Sequence, residues 1–258
     1  PWGQTRAGLA RPRQGTWTIR PHFDSHLGQI NGEGTSQRVA KLENVRVQTH
    51  PAGFQVSGTL IRCRGKLIHD FCYFSPAGDY TVYIEQLRPQ QGFALKSRET
   101  GVIGLEYPLG QNSRTLYGPF GEISTTGYGG ESKVRELVGD WLNVDDAVGY
   151  VVRRIGGPEN VIRHHDESSG KGRVPQLQEW LSLIGEAQPV LAPEGSWACL
   201  VTFLNQRSAD TAAWSSRLRF SVEGYRATCQ IGDEAFSVDF PLRPMPAVDP
   251  PGNVGGGS

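Results

Sequence analysis

The chain has 258 residues, with 26 acidic and 26 basic side chains, so its formal net charge is zero. That balance gives no electrostatic footprint for nucleic acid or an anionic membrane, and no apolar run approaches the roughly 20 residues that span a bilayer. At 37% hydrophobic residues, with 33 Gly and 17 Pro, the composition suits a chain built from short elements and many turns, long enough to bury a large core.

Taken in order, the first fifteen residues, PWGQTRAGLARPRQG, read as an extended arm, rich in Gly, Pro and Arg. The chain starts at Pro1 with no signal-like apolar stretch, so it reads as a mature protein or a piece of a longer one. Strands are predicted at TWTIR, at FQVSGTLIR, at 66–74 and at YTVYIEQL. With Gly65 at the centre of a hairpin, Cys72 falls opposite Gly58, and Cys63 points to the other face; a 63–72 disulfide does not fit that register. Further strands follow at VRELVGDWLNV, VGYVVRR, ENVIRHH, QLQEWLSLI and SWACLVTFL. Trp197 there shares an apolar face with Val201 and Phe203 and is assigned to the core. RSADTAAWSSRL is the best helical stretch, one or two turns with Ser208 as its cap. Alternation is clearest at the end, where Leu218, Phe220 and Val222, then Tyr225, Ala227, Cys229 and Ile231, then Phe236, Val238 and Phe240 recur every second residue. Such alternation marks half-buried antiparallel strands, and Glu223-Gly224, Gly232-Asp233 and SPAGD at 75–79 supply hairpin turns.

The fold class is therefore all-β, an antiparallel β-sandwich of many short strands with little helix. We divide the chain into an arm (1–15), a single sandwich domain (16–243) and a flexible tail (244–258). The four cysteines lack the CxxC spacing of structural zinc sites. Cys199 and Cys229 lie on the apolar faces of their strands and read as buried free thiols rather than a disulfide.

Three constellations could carry chemistry. The stretch WLNVDDAVGYVV places Asn143, Asp145 and Asp146 between two apolar runs. A hairpin turn explains all three, because Asn and Asp side chains bond the local backbone and tolerate left-handed geometry. Calcium is the alternative, but it takes about six to eight oxygens and the stretch supplies only some of them. An acid/base pair of carboxylates would need to stand roughly 5–9 Å apart and aim at one bond. His22, Asp24 and His26 share period two in PHFDSHLG, so a strand there would present two imidazoles and a carboxylate on one face. This is the better catalytic or metal set, set against a plain polar face. His164, His165 and Asp166 read as a solvated strand end entering a Gly/Ser loop. Trp17, Tyr128, Trp141 and Trp214 lie near turns or strand ends, where exposed rings stack on the apolar faces of sugars; core burial is the competing assignment for each.

The strings RTLYGPFGEIS (114–124), GDWLNVDDAVGYVV (139–152) and VTFLNQRSADTAAW (201–214) resemble, in that order, a β-sandwich region toward the C-terminus of bacterial carbohydrate-active enzymes, both glycoside hydrolases and heparinase-type polysaccharide lyases. The resemblance covers roughly Phe54 to Phe240. It implies a non-catalytic sandwich of a polysaccharide-processing enzyme that packs on an upstream catalytic domain or binds oligosaccharide or polysaccharide, with no cofactor unless calcium sits at the acidic pair. It transfers no catalytic residue, and it leaves secreted and cytoplasmic settings both open. The second reading is a self-contained β-sandwich glycoside hydrolase or polysaccharide lyase using His22, Asp24 and His26 or the NVDD carboxylates.

Overall fold

A computed structural model describes residues 18–22, 41–50, 53–62, 65, 67–76, 79–89, 102–106, 113–126, 133–156, 161–169, 176–182 and 195–245. These form antiparallel strands throughout, with one helix among the described residues. The strands are β1 (Thr18–His22), β2 (Lys41–His50), β3 (Gly53–Arg62), β4 (Leu67–Pro76), β5 (Tyr80–Pro89), β6 (Val102–Glu106), β7 (Ser113–Gly118), β8 (Gly121–Thr126) and β9 (Lys133–Val138). They continue with β10 (Trp141–Val144), β11 (Val148–Ile155), β12 (Val161–Ser169), β13 (Gln176–Ser182) and β14 (Ser196–Leu204). Helix α1 (Ser208–Arg217) then leads into β15 (Arg219–Glu223), β16 (Arg226–Ile231) and β17 (Glu234–Asp239).

Nine strands make the large sheet, in the order β2-β3-β4-β5-β14-β11-β10-β7-β8; β1-β6-β13-β12-β9 make a second sheet and β15-β16-β17 a third. The all-β expectation is met. The expectation of half-buried strands holds in the three-stranded sheet, where exposure alternates along β16. In the middle of the large sheet, every residue of β14 is buried, and so are the first eight of β4. Both faces of these strands are covered, which suits their near-continuous apolar runs.

The two coverings form two cores. On one face Leu60, Phe71, Tyr73, Tyr83, Leu142, Val144, Tyr150, Val152 and Leu200 pack together, joined by Leu137 from β9. On the other face Cys72, Val82, Ile84, Val151, Trp197, Cys199, Val201 and Phe203 meet Leu218, Ala227, Cys229, Ile231 and Val238 from beneath the three-stranded sheet. Trp197 stacks on Phe240 with ring centroids 5.6 Å apart, which places it in the core as the sequence suggests. Each such aliphatic or aromatic side chain contributes about 1.5–3 kcal/mol by leaving water.

Three local expectations need correction. The β3–β4 hairpin pairs Ser57 with Cys72, Gly58 with Phe71 and Arg62 with Leu67, so the register is one residue away from a turn centred on Gly65. Four residues connect the strands, and an even-numbered connection moves the symmetry point off the glycine. Helix α1 runs ten residues, longer than one or two turns, and its N-cap is Arg207, with no side-chain cap of its own. His164, His165 and Asp166 do not end a strand. They sit within β12, which continues to Ser169 between β9 and β13.

At the edge of the large sheet, β2 carries a bulge between Glu43 and Arg46, with Asn44 at φ 53°. A bulge of this kind twists the open edge and discourages pairing with another chain.

Gly149 sits where α1 crosses β11. A Cβ built there would collide with the Thr211 hydroxyl, and Thr211 Cγ2 would be 2.9 Å away. We predict that Gly149→Ala lowers stability by about 1–3 kcal/mol, the usual cost of forced overpacking, read as a lower urea midpoint at unchanged m-value. An unaltered midpoint would show that the helix does not bear on this strand.

Candidate functional site

Val144, Asp145, Asp146 and Ala147 close the β10–β11 hairpin. Asp145 and Asp146 have φ of 55° and 49°, and the Ala147 amide donates to the Val144 carbonyl at 3.0 Å. Val144 pairs with Val148, so three residues connect the strands, and positive φ at Asp145 and Asp146 is left-handed geometry, which Asp tolerates better than most residues.

Each polar side chain of the stretch reaches out of the turn to another element. Asp145 Oδ1 accepts from the Thr115 amide at 2.7 Å, while its own amide donates to the Thr115 carbonyl, so it ties the hairpin to β7. Asp146 Oδ1 accepts from the Ser208 amide at 2.7 Å. That amide is the first N–H of α1 and has no intrahelical partner. A carboxylate there caps the helix and favours its positive end. Ser208, expected from the sequence to cap the helix, is thus itself capped by Asp146. Asn143 is fully buried and donates through Nδ2 to the Gln206 carbonyl at 2.8 Å and to Thr211 Oγ1 at 2.9 Å. In the bend just before β10, Asp140 Oδ2 accepts from Arg153 and from Ser215 Oγ, both at 2.8 Å, and Arg153 also donates to the Ser215 carbonyl. The helix is therefore seated on the sheet by a chain of hydrogen bonds as much as by apolar contact.

Several of the other residues singled out from sequence lie outside the described residues. His22 is the last residue of β1, paired with Val102; Asp24, His26, Trp17 and Tyr128 lie outside the described residues, as does Cys63. Trp141 and Trp214 pack half-buried against the same apolar cluster. Trp214 stacks on Phe203 at a centroid distance of 5.4 Å, and the Arg217 guanidinium lies 6.0 Å from its ring centre. Among the described residues no three His, Cys, Asp or Glu side chains are grouped to hold a metal, and no helix is long and apolar enough to cross a membrane.

A polar group that sequence reasoning missed lies inside the sheet. On one face of β4 and β5, His69 Nε2 stands 2.9 Å from Glu85 Oε2 and 3.0 Å from the Tyr83 hydroxyl, which itself donates to Glu85 Oε2 at 3.0 Å. Arg154 of β11 is close enough that Glu85 opposes the fall of its pKa, which burial still brings down to about 10. On the opposite face Asp70 takes a bond from Thr59 Oγ1 at 2.6 Å and pairs with Arg88 Nη2 at 2.9 Å. The signal was in the sequence: LIHDFCYF and YTVYIEQL set charged residues inside apolar runs. A charge in such a strand has to find its partner on the neighbouring strand.

No protein-family model matches the chain, and no curated protein matches it significantly. Solved structures similar to it include heparinase III, at 10% identity over 83% of this chain and 29% of that one, with a TM-score of 0.37. Another is the GH36 α-galactosidase AgaA from Geobacillus stearothermophilus, at 10% over 80% and 36%, with a TM-score of 0.42. A mutant of heparan sulfate lyase HepC from Pedobacter heparinus gives 11% over 93% and 31%, with a TM-score of 0.38. The chain spans about a third of the length of these structures. At such identities and scores no residue's role passes from them to this chain.

Two outcomes follow from the geometry. Asp146→Ala should remove a helix cap and lower stability by about 1 kcal/mol, with hydrogen exchange rising first at the Ser208 end of α1; an unchanged exchange rate there would refute the capping role. Glu85→Ala removes the carboxylate paired with buried His69 and close to the half-buried Arg154. It should cost about 3–5 kcal/mol, as breaking a buried pair does, and a loss under 1 kcal/mol by urea titration would contradict the pairing.

Proposed function

We propose that this chain is a non-catalytic β-sandwich domain of a polysaccharide-processing enzyme, packing on a catalytic domain or binding glycan. The observation that supports it most is the use of the NVDD stretch. Asn143, Asp145 and Asp146 belong to the phrase by which the sequence resembles sandwich regions of carbohydrate-active enzymes, and each is engaged in joining the hairpin to β7 or α1. A motif of that kind persists in a scaffold because it builds the scaffold, so sharing it is compatible with an accessory role and supplies no reacting group.

The end of the sandwich offers a place for a second body. Ile155, Tyr225 and Leu242 are exposed there, around the stacked pair Trp197 and Phe240. Ile155 pairs with Trp197 across β11 and β14, and the Phe240 amide donates to the Tyr225 carbonyl. Exposed apolar groups near that pair suit packing between domains, although Val45 and Val47 of the edge strand β2 are exposed as well. The zero net charge favours neutral or weakly acidic glycan over a strongly anionic one, since charge alone would not hold the latter.

The test is an activity and binding assay of the chain against neutral and acidic polysaccharides, alone and expressed together with its flanking coding sequence. We predict no turnover by the chain alone, weak binding or none, and activity only in the longer product. Turnover by the chain alone that is lost in His22→Ala or Asp24→Ala would replace this reading with that of a self-contained glycoside hydrolase or lyase.

A further inference from the structure

Helix α1 carries a half-buried indole, Trp214, to the place where the β16–β17 turn meets the large sheet. One face of the ring lies against buried Phe203 of β14, with centroids 5.4 Å apart and planes 16° from parallel. That packing fixes the plane of the indole. The exposed Arg217 guanidinium, three residues on along the helix, lies 6.0 Å from the ring centre. Gly232 of the β16–β17 turn approaches the same indole: a Cβ built there would stand 4.0 Å from Trp214 Cζ3. Gly232 has φ 59°, the left-handed geometry that favours glycine, so no side chain from this position shields the ring. Two residues further, exposed Glu234 has its carboxylate held in place, because the Tyr80 hydroxyl donates to Oε2 at 2.6 Å. The Tyr80 ring lies 6.0 Å from that of Phe203, which closes a circle of contacts back to Trp214.

We propose that Trp214, Arg217 and Glu234 form a binding site for one neutral hexose unit of a glycan, an inference that rests on the reading of the chain as a glycan-handling accessory domain. A pyranose ring has an apolar C–H face and a rim of hydroxyls. It is held by a fixed aromatic plane with donors and acceptors beside it. Trp214 supplies the plane. The Arg217 guanidinium offers N–H donors to hydroxyl oxygens, and the Glu234 carboxylate accepts from hydroxyl protons. The charges select the class of glycan. One guanidinium stands against Glu234 and its exposed neighbour Asp233, so a sulfate or uronate group gains nothing here, whereas a hydroxyl can meet either sign.

A site of one ring and two charged groups is small, so the expected Kd is on the order of 1 mM, within reach of an NMR titration. The full chain should be titrated with neutral gluco-, manno- and galacto-oligosaccharides, and with a heparin oligosaccharide as the anionic comparison, while its indole N–H signals are followed. At least one neutral oligosaccharide should shift the Trp214 signal to saturation, and the heparin oligosaccharide should not. Arg217→Ala and Glu234→Ala alter exposed side chains outside the core, and each should weaken binding about fivefold or more with Tm unchanged. Trp214→Ala should abolish it. No saturable binding by any neutral oligosaccharide would overturn the proposal, and so would binding that Arg217→Ala and Glu234→Ala both leave intact, or a preference for the heparin oligosaccharide. Each of those results leaves the accessory role standing as a packing domain. That role fails by a separate observation, turnover by the chain alone.

Discussion

A sheet covered on both faces must pair every polar side chain that its central strands carry, and this constraint organises the molecule. β4, β5, β14 and β11 lie side by side with apolar cores above and below. Water cannot satisfy His69, Asp70, Glu85 or Arg88 there, so each needs a partner on an adjacent strand. The diagonal contacts of β4 and β5 provide it: Glu85 faces Phe71, beside His69, and Asp70 faces Gln86, beside Arg88. Because such pairs form in only one register, they fix how β4 and β5 align. A slip by one residue would move each charge to the face that holds no partner for it.

The same constraint explains the acidic hairpin. Helix α1 buries Thr211 and Ser215, one turn apart, so the surface it offers the sheet is partly polar. Asn143 answers Thr211 and Asp140 answers Ser215, while Asp146 holds the first amide of the helix. Function and fold meet at this point. The stretch from Asn143 to Asp146 is a docking device for a helix, and the proposal of an accessory sandwich rests on that use.

Much of the architecture was legible in the sequence, for identifiable reasons. Strands β15 to β17 cover the large sheet with one face dry and one wet, so their alternation was visible residue by residue. SWACLVTFL announced a strand but not that both its faces are buried, because only the tertiary cover reveals this. The length of α1 was hidden because Thr211 and Ser215 replace apolar residues on its inner face, which erases the 3.6-residue pattern. The turn at Asp145 and Asp146 could be read from local chemistry. Its long-range partners Thr115 and Ser208 could not, since nothing local sets them. His69 and Glu85 went unnoticed for the same reason: a pair distant in sequence is recognised only once the strand register is known.

The central claim is that the polar residues around the hairpin act together with α1 as one docking unit. A double-mutant cycle between Asn143 and Thr211, using Asn143→Ala, Thr211→Ala and the double variant in urea titrations, tests it most directly. Residues in direct hydrogen-bonded contact couple by about 0.5–3 kcal/mol. The structure predicts a coupling in that range, with the double variant less destabilised than the sum of the single ones. Strictly additive losses would contradict the account and return the acidic stretch to the list of sites in search of a ligand.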